Sequence, residues 1–512
     1  MKRFPKLPDF QSVMSRCGWR YALVWTLITA TGCNSLTGAT NSLNDVTVLE
    51  LEERPNILLI LVDDMDLLLG TPETMSKLKS ELIDQGLTID QFFITTPVCC
   101  PARATFLRGQ FTHNHKVFTN EGLAGGFTKF FEQGHESSTV GTWLQTAGYH
   151  TAFLGKYLNG FPLPQAREYI PPGWTEWYVP VKGRPYTGFG YTLNENGSFV
   201  DYGERPEDYL TDVLTQKTLG VIEAAETSEQ PFFIFLSYYA PHEPSTPAPR
   251  HAEMFLEAEA PRTPNFNEED VSDKPHGIRS DPLLDAVQIA EIDHRYRLRL
   301  QSMQAVDEAI PQLIGALRES GQLENTYIIF TSDNGFHMGQ HRLLWGKTQP
   351  YEEDIRVPFI IRGPGIPNGE VLTGYLGSNV DFAPTVAELA GLIPPDYVDG
   401  QSLVPLFLPD RRPAIDAWRG AVLIEFYGNK SDESGDLPPS YLGLRTSQYM
   451  YIEHEDGFVE LYELLSDPFE LSNLADEAAP DLLRQFADWV SRLSSCSGSG
   501  CAQIENSIPA LP

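Results

Sequence analysis

A continuous apolar segment that ends in two acidic residues constrains the fold of this chain more than any other feature. Residues 56–62 read NILLILV, and Asp63 and Asp64 follow directly. An unbroken apolar strand is typical of a central parallel strand that is buried on both faces, with helices on each side of the sheet. The segment therefore predicts an α/β fold.

Similar strand-like segments recur along the chain, with helical segments between them. They lie at residues 88–94, 150–154, 232–236, 327–331 and 357–361. The longest helical pattern covers residues 296–317, with a possible kink at Pro311. This alternation predicts a doubly wound sheet. The expected fold class is α/β, with a large mixed, mainly parallel sheet flanked by helices, in a catalytic domain over residues 54–400.

Beyond residue 400 the predicted strands become shorter. They lie at residues 420–426, 441–445, 449–453 and 458–462, and a helix is predicted at 480–493. These segments predict a small α+β subdomain with an antiparallel sheet over residues 401–512. Residues 244–281 are rich in proline and charge with little periodicity, which indicates a long loop at the rim of a cleft.

The N-terminal residues indicate export. A basic start and an apolar stretch at residues 21–31, too short to span a bilayer, are typical of a secretory signal. Residues 30–33, ATGC, resemble a bacterial lipobox, so we expect residues 1–33 to be a signal peptide and Cys33 to carry a lipid anchor. Ordinary signal cleavage is the alternative. Residues 34–53 are polar and acidic and would form a tether, which predicts a periplasmic or extracellular protein that reaches the membrane only through its anchor.

The chain is strongly acidic, with a formal net charge of −32. Such a surface repels nucleic acid and anionic membranes, so no nucleic-acid partner is expected. An anionic substrate is still compatible with this charge, because salt screens surface charges beyond about 8–10 Å and a local group of cations controls binding.

Four of the six cysteines lie near the ends of the chain. Cys17 and Cys33 belong to the signal region. Cys496 and Cys501 flank a short SGSG segment and could close a small loop by a disulfide in an oxidising compartment.

The remaining cysteines, Cys99 and Cys100, stand side by side just ahead of Pro101. A disulfide between neighbours would be strained, and a metal thiolate site would need further cysteine ligands. Pro101 suits the first turn of a helix, so Cys99 would lie at a helix N-terminus, where free N–H groups favour anions. Arg103 lies one turn further along and can donate a pair of hydrogen bonds. The group suggests attack on a sulfate or phosphate ester, and two inert buried thiols are the alternative.

Polar residues follow several of the predicted strands. Asp63 and Asp64 follow one, Asp333 and Asn334 follow another, and Lys156 and His242 follow two more. In open α/β sheets these strand ends form the ligand site, so the side chains can converge there. Asp63–Asp64 alone is also typical of a helix cap or a turn, and Asp333–Asn334 alone is typical of a turn. Together they offer the oxygen ligands that Ca²⁺ or Mg²⁺ prefers, and their approach without a cation would be costly.

Residues 99–103, CCPAR, resemble the Cys-x-Pro-x-Arg signature of the formylglycine-dependent sulfatases. The resemblance extends through RPNILLILVDD, GKYLNG, FFIFLSYYAPHEP, TSDNGFHMGQHRLLWGK and ELYELLSDPFELSNLA. The segments CCPAR, HNHKVFTN and GFHMGQHR are most similar to the N-acetylglucosamine-6-sulfatase and heparan 6-O-endosulfatase branch. Members of this family have the alkaline-phosphatase-like α/β fold.

The resemblance implies a nucleophile made from a cysteine. A maturation enzyme would oxidise Cys99 to formylglycine, whose hydrate attacks the sulfur of a sulfate monoester, while Cys100 fills a variable position. One Ca²⁺ would be held by an oxygen of the modified Cys99 and by the oxygens of Asp63, Asp64, Asp333 and Asn334.

The resemblance also implies the roles of the surrounding cations. Arg103 would hold the modified residue and the metal-site carboxylates. Lys156 and Lys347 would contact the sulfate oxygens, and His242 would be the general acid for the leaving alcohol.

Two departures from the family pattern concern the aldehyde. The usual Gly-Lys-Trp-His reads GKYL at residues 155–158, so the histidine often credited with regenerating the aldehyde is absent. His115 is the favoured replacement, with His337 and His341 as alternatives. The extended signature of the family usually closes with Thr-Gly, whereas residues 108–109 of this chain are Arg-Gly. This difference lies in the segment that the maturation enzyme would recognise.

These inferences predict an exported sulfatase that acts on 6-O-sulfate of glucosamine-type residues in a sulfated saccharide. One alternative is a phosphomonoester or phosphodiester hydrolase on the same fold. Another is a non-catalytic glycan-binding lipoprotein in which Cys99 stays a thiol.

Overall fold

The computed structural model describes residues 54–163, 166–228, 230–430 and 438–507. The expected signal peptide, the lipid-anchor residue Cys33 and the tether lie outside these residues. The strands are β1 Asn56–Asp63, β2 Leu87–Phe93, β3 His150–Gly155, β4 Glu176–Gly183, β5 Tyr191–Glu195, β6 Ser198–Tyr202, β7 Phe232–Pro241, β8 Thr326–Ser332, β9 Phe359–Arg362, β10 Glu370–Ser378, β11 Ala421–Phe426, β12 Tyr441–Thr446, β13 Tyr449–His454 and β14 Val459–Glu463.

Helices lie between most of these strands. They are α1 Ser76–Leu78, α2 Cys99–Arg108, α3 Thr112–His115, α4 Gly126–Glu132, α5 Val140–Thr146, α6 Leu210–Ala225, α7 His276–Arg279, α8 Ala286–Glu319, α9 Glu352–Ile355, α10 Phe382–Leu389, α11 Val404–Phe407, α12 Pro480–Leu493 and α13 Gly500–Glu505. None of the helices in the described ranges is long and apolar enough to cross a bilayer.

The larger sheet has ten strands in the order β10, β2, β9, β8, β1, β7, β3, β4, β5, β6. At its centre, β1 pairs in parallel with β7 and β8, and β3 pairs in parallel with β7 and β4. Antiparallel pairing occurs at β9 and in the β4–β5–β6 meander. The predicted α/β class with a mixed, mainly parallel sheet is confirmed.

Alternate residues of β1 enter two different apolar cores. Ile57 and Leu59 pack in a core that includes residues of α2, α5 and α10. Leu58 and Ile60 pack on the opposite face with residues of α6 and α8. Because both faces are covered, every position from Ile57 to Val62 is apolar, which explains the unbroken pattern in the sequence.

Helix α8 is longer than its apolar pattern predicts. It begins at Ala286, where the Asp285 side chain accepts hydrogen bonds from the backbone N–H groups of Val287 and Gln288. It continues past Pro311 to Glu319, so the proline does not end it.

The smaller sheet is antiparallel, in the order β11, β12, β13, β14, which confirms the predicted C-terminal sheet. One face packs against α12 through Phe486 and Trp489. The other face packs against a cluster that includes Val98 and Tyr351 from the larger part of the chain. A disulfide joins Cys496 to Cys501, as predicted.

Candidate active site

The carboxyl ends of four adjacent strands of the larger sheet bring the predicted residues together. Asp63 ends β1, Lys156 follows β3, His242 follows β7, and Asp333 and Asn334 follow β8. Because β8, β1, β7 and β3 are neighbours and run parallel, these side chains emerge at the same edge of the sheet.

Cys99 is buried at the start of α2, beside the carboxylates that follow β1. Its Sγ atom lies 3.5 Å from Asp63 Oδ1 and 3.7 Å from Asp64 Oδ1. Lys347 reaches the thiol from a distant loop, with Nζ 2.6 Å from Sγ. Burial raises the pKa of the Cys99 thiol, and the nearby lysines Lys156 and Lys347 only partly offset it, so an unmodified Cys99 carries its proton.

Arg103 joins the residues that follow β8 and β3 to a residue within β7. Its Nε donates to Asp333 Oδ2 at 2.8 Å, and its Nη1 donates at 2.7 Å to both the Lys156 carbonyl and Ser237 Oγ. Its Nη2 lies 3.5 Å from Asp63 Oδ1 and has no hydrogen-bond partner among the described residues. The Nη2 group of this buried, charged guanidinium therefore has an ion pair with Asp63 but no hydrogen bond, so it could still donate to an oxygen.

Two lysines balance the acidic pair after β1. Lys156 Nζ lies 2.6 Å from Asp63 Oδ2, and Lys347 Nζ contacts Asp64 Oδ1. Burial disfavours charge on both lysines, but the carboxylates outweigh it and raise the pKa of Lys156 and of Lys347. Burial also raises the pKa of Asp63, yet Lys156 and the other nearby cations bring it below its usual value. The site therefore holds stable charges of both signs.

Several groups in this site could hold a cation. Ligand atoms lying within 4.8 Å of one another are offered by Asp63, Asp64, Cys99 and His242. The Oδ1 atom of Asn334 is buried without a hydrogen-bond partner in the described part of the chain, while its amide nitrogen donates to Asp64 Oδ1 at 2.8 Å. Burial and the Asp63 charge raise the pKa of Asp333 to about 6. Crowded carboxylates and an orphaned amide oxygen fit a divalent cation that prefers oxygen ligands.

His242 faces the same carboxylates. Its Nδ1 lies 2.8 Å from the Glu243 carbonyl, which can only accept, so Nδ1 carries a proton and Nε2 points to Asp64 at 3.7 Å. Burial lowers the pKa of His242, and the Asp64 and Asp63 charges oppose that effect only in part. Nε2 is therefore the position at which a proton can be gained or lost.

The structure places the three candidate replacement histidines in other hydrogen-bond networks. The backbone N–H of Val117 donates to His115 Nδ1 at 3.1 Å, and His115 Nε2 lies 3.1 Å from Thr105 Oγ1. The Nδ1 atom of His337 lies 2.9 Å from Asp354 Oδ1, and that of His341 lies 2.6 Å from Glu268 Oε2. Within the described ranges none of these bonds joins the group around Cys99, so the role of His115 stays a prediction.

Sequence reasoning missed two residues of this site. Ser237 binds Arg103, and it follows the predicted strand at 232–236 directly, so the rule that pointed to Lys156 also applies to it. Tyr186 lies in a short turn between β4 and β5, with its ring centroid 5.2 Å from Lys156 Nζ and 4.6 Å from the His242 ring. No sequence pattern pointed to Tyr186.

Two models of known protein families match this chain. The family model described as Sulfatase matches residues 55–392. This chain belongs to the sulfatase family. A second family model, described as N-sulphoglucosamine sulphohydrolase, C-terminal, matches residues 339–494 of this sulfatase. That match begins well before residue 400, so the division of the chain at residue 400 stays a prediction.

Individual relatives of this sulfatase cover most of its length. It is 35% identical over 487 residues to human N-acetylglucosamine-6-sulfatase, covering 88% of this chain and 86% of the human protein. It is 41% identical over 383 residues to a Caenorhabditis elegans protein named as an extracellular sulfatase Sulf-1 homolog, covering 73% of this chain and 53% of that protein. The chain therefore spans about half the length of the nematode relative.

A solved structure described as a complex with its substrate D-glucosamine-2-N,6-O-disulfate superimposes with a TM-score of 0.69 and 25% identity. The match covers 86% of this sulfatase and 97% of that chain. The predicted family and the predicted class, a sulfuric ester hydrolase, are confirmed.

Proposed function

We propose that this sulfatase hydrolyses 6-O-sulfate esters of glucosamine-type residues in sulfated glycans. The observation that carries the proposal is the position of Cys99, at a helix N-terminus between two carboxylates and the Lys347 ammonium. A tetrahedral anion placed there lies at the positive end of the α2 dipole beside fixed cations. The expected free N–H groups are mostly not available, because the Cys100 N–H donates to Asn120 Oδ1, Pro101 has none, and the Ala102 N–H donates to the Val98 carbonyl. The sugar assignment is supported by the human relative, named N-acetylglucosamine-6-sulfatase, and by the glucosamine disulfate complex.

Two groups complete the proposed site. Cys99, oxidised to formylglycine by a maturation enzyme, would supply the oxygen nucleophile that attacks sulfur. Asp63, Asp64, Asp333 and Asn334 would hold one Ca²⁺, which neutralises sulfate charge when bound. The orphaned Asn334 Oδ1 and the crowded carboxylates support this ligand set.

The remaining side chains bind and orient the substrate. Lys156 and Lys347 carry stable positive charge and would contact the sulfate oxygens, since both reach the carboxylates that flank Cys99. Arg103 holds Asp333 and would offer its Nη2 group to the modified residue. His242 would donate a proton from Nε2 to the leaving sugar oxygen, because its Nδ1 is committed to a carbonyl.

We also infer that the protein acts outside the cytoplasm. The nematode relative is named as an extracellular sulfatase homolog, and the described chain contains a disulfide, which is typical of oxidising compartments. The lipid anchor at Cys33 belongs to the same proposal.

Release of free sulfate from defined saccharides tests the proposal. N-acetylglucosamine 6-sulfate and glucosamine 2-N,6-O-disulfate are compared with the 3-sulfated isomer, after expression together with a maturation enzyme. Release from the 6-sulfated sugars is expected, and release from neither would contradict the substrate assignment. Parallel assays with aryl sulfate and aryl phosphate would contradict the sulfatase reaction if phosphate were strongly preferred.

A further inference from the structure

A cavity of about 270 Å³ lies directly beside the candidate active site. Its wall includes Lys156, Asn159, Phe161, Lys182, Tyr186 and Tyr239. We propose that this cavity binds the sugar ring that carries the scissile sulfate, and that Lys182 binds a second anionic substituent, a sulfate or a carboxylate, of the same glycan. This inference rests on the proposed function.

Two residues of the wall also belong to the active site. Lys156 contacts Asp63 through its Nζ, and the Tyr186 ring lies against both Lys156 and His242. The cavity therefore begins at the side chains that would hold the sulfate and the leaving oxygen. Its volume is close to the lower end of the usual range for small-molecule sites, about 300–1,000 Å³, and suits a single sugar ring.

The chemistry of the wall suits a sugar. Phe161, Tyr186 and Tyr239 provide aromatic surface on which the C–H face of a pyranose can pack. Asn159 provides a polar group, and its Oδ1 atom is buried without a hydrogen-bond partner among the residues described.

Lys182 is an exposed cation in the wall of this cavity. It is exposed on β4, and the structure records no ion pair for it in the described ranges, whereas the neighbouring Arg184 pairs with Glu204. β4 lies next to β3, the strand that leads into Lys156. Lys182 on β4 and Lys156, which follows β3, therefore line the same cavity, and an anion at Lys182 would lie beyond the sulfate held at Lys156.

Isothermal titration calorimetry on a Cys99→Ala variant tests the subsite without turnover. The ligands are N-acetylglucosamine 6-sulfate, with one anionic group, and glucosamine 2-N,6-O-disulfate, with two. We expect the disulfate to bind about fivefold more tightly, because an exposed ion pair contributes up to about 1 kcal/mol. Adding Lys182→Gln should remove this preference, and so should high salt.

The matched control is Lys77→Gln, which removes an exposed lysine of α1 and should leave the preference unchanged. Equal affinity for the two ligands, or a preference that survives Lys182→Gln, would overturn the inference. Sulfate release by the enzyme with Cys99 intact is measured in parallel. Failure of that release contradicts the proposed function, whereas loss of the binding preference alone contradicts only the subsite.

Discussion

The Nζ atom of Lys347 lies 2.6 Å from the Sγ atom of Cys99, although 248 positions separate the two residues in the chain. The same ammonium contacts Asp64, and this carboxylate raises the pKa of Lys347 against the opposing effect of burial. A cation that stays charged therefore lies beside Cys99, the proposed reacting residue, where a bound sulfate ester would develop additional negative charge.

Replacing Lys347 by methionine should lower kcat/KM for sulfate esters by about 10²–10³-fold, because one fixed partner of the transition-state charge is lost. Initial rates of sulfate release measure the effect. Lys116→Met, at an exposed lysine, is the control and should retain activity. A Lys347→Met enzyme within twofold of the unsubstituted protein would contradict the role.

His242→Gln should affect sugar sulfates more than nitrophenyl sulfate, because only the sugar alkoxide needs a proton in order to leave. We expect a loss of about 10²–10⁴-fold on sugar sulfates. Since burial lowers the pKa of His242, the protonated acid is depleted as pH rises, and turnover of sugar sulfates should fall toward alkaline pH. His276→Gln, an exposed histidine, is the control, and equal losses on both substrates would exclude proton donation by His242.

Removal of calcium by a chelator should abolish activity, and added Ca²⁺ should restore it. Asn334→Ala removes the orphaned amide oxygen and should raise the Ca²⁺ concentration needed for half-maximal recovery on the order of tenfold or more. The exposed Asn325 provides the control variant Asn325→Ala. Identical calcium titrations for the two variants would argue against Asn334 as a ligand.

The buried carboxyl group of Glu136 should make the protein less stable as pH rises. Burial raises its pKa to about 7, although Tyr169 donates a hydrogen bond to it at 2.8 Å. The folded state therefore holds a proton that the unfolded state releases above about pH 4.5. The free energy of unfolding should fall by about 2 kcal/mol between pH 5 and 7.5 because of this group.

Glu136→Gln should remove this part of the pH dependence, and Glu132→Gln, at an exposed position, should not. Denaturant titrations at the two pH values measure the difference. The assignment of this pH dependence to Glu136 fails if the free energy of unfolding falls by the same amount from pH 5 to pH 7.5 in Glu136→Gln and in the unsubstituted protein.

The centre of the sheet and the acidic part of the site could be predicted from the sequence. β1 is buried on both faces, so its apolar run is unbroken. The polar residues that follow β1 and β8 can be placed at the site because ligands of open α/β sheets bind at the carboxyl ends of the strands. Cys99 could be placed at a helix start because Pro101 marks the first turn.

The β4–β5–β6 meander could not be predicted in this way. β6 lies at the edge of the sheet and exposes most of its residues, so no apolar face marks it. Tyr186 depends on this meander for its position. The start of α8 was missed because its first turns are exposed, as at Val287, and carry no apolar stripe.

The prediction for His115 shows that a sequence motif does not fix the direction of a side chain. Its motif suggested that it replaces the missing histidine, and this role stays a prediction, because the direction of a side chain depends on the local turn. Here the Val117 N–H group holds Nδ1, and burial lowers the pKa of His115 well below its usual value. A spacing pattern carries no information about such a turn.

Mass spectrometry of the peptide that contains Cys99 and Cys100 tests the central claim most directly. Active protein should show a loss of about 18 Da at Cys99, the difference between cysteine and formylglycine, and an unchanged thiol at Cys100. Cys99→Ala should abolish sulfate release, while Cys100→Ala should retain it. An unmodified Cys99 in protein that turns over sulfate esters at full rate would contradict the account.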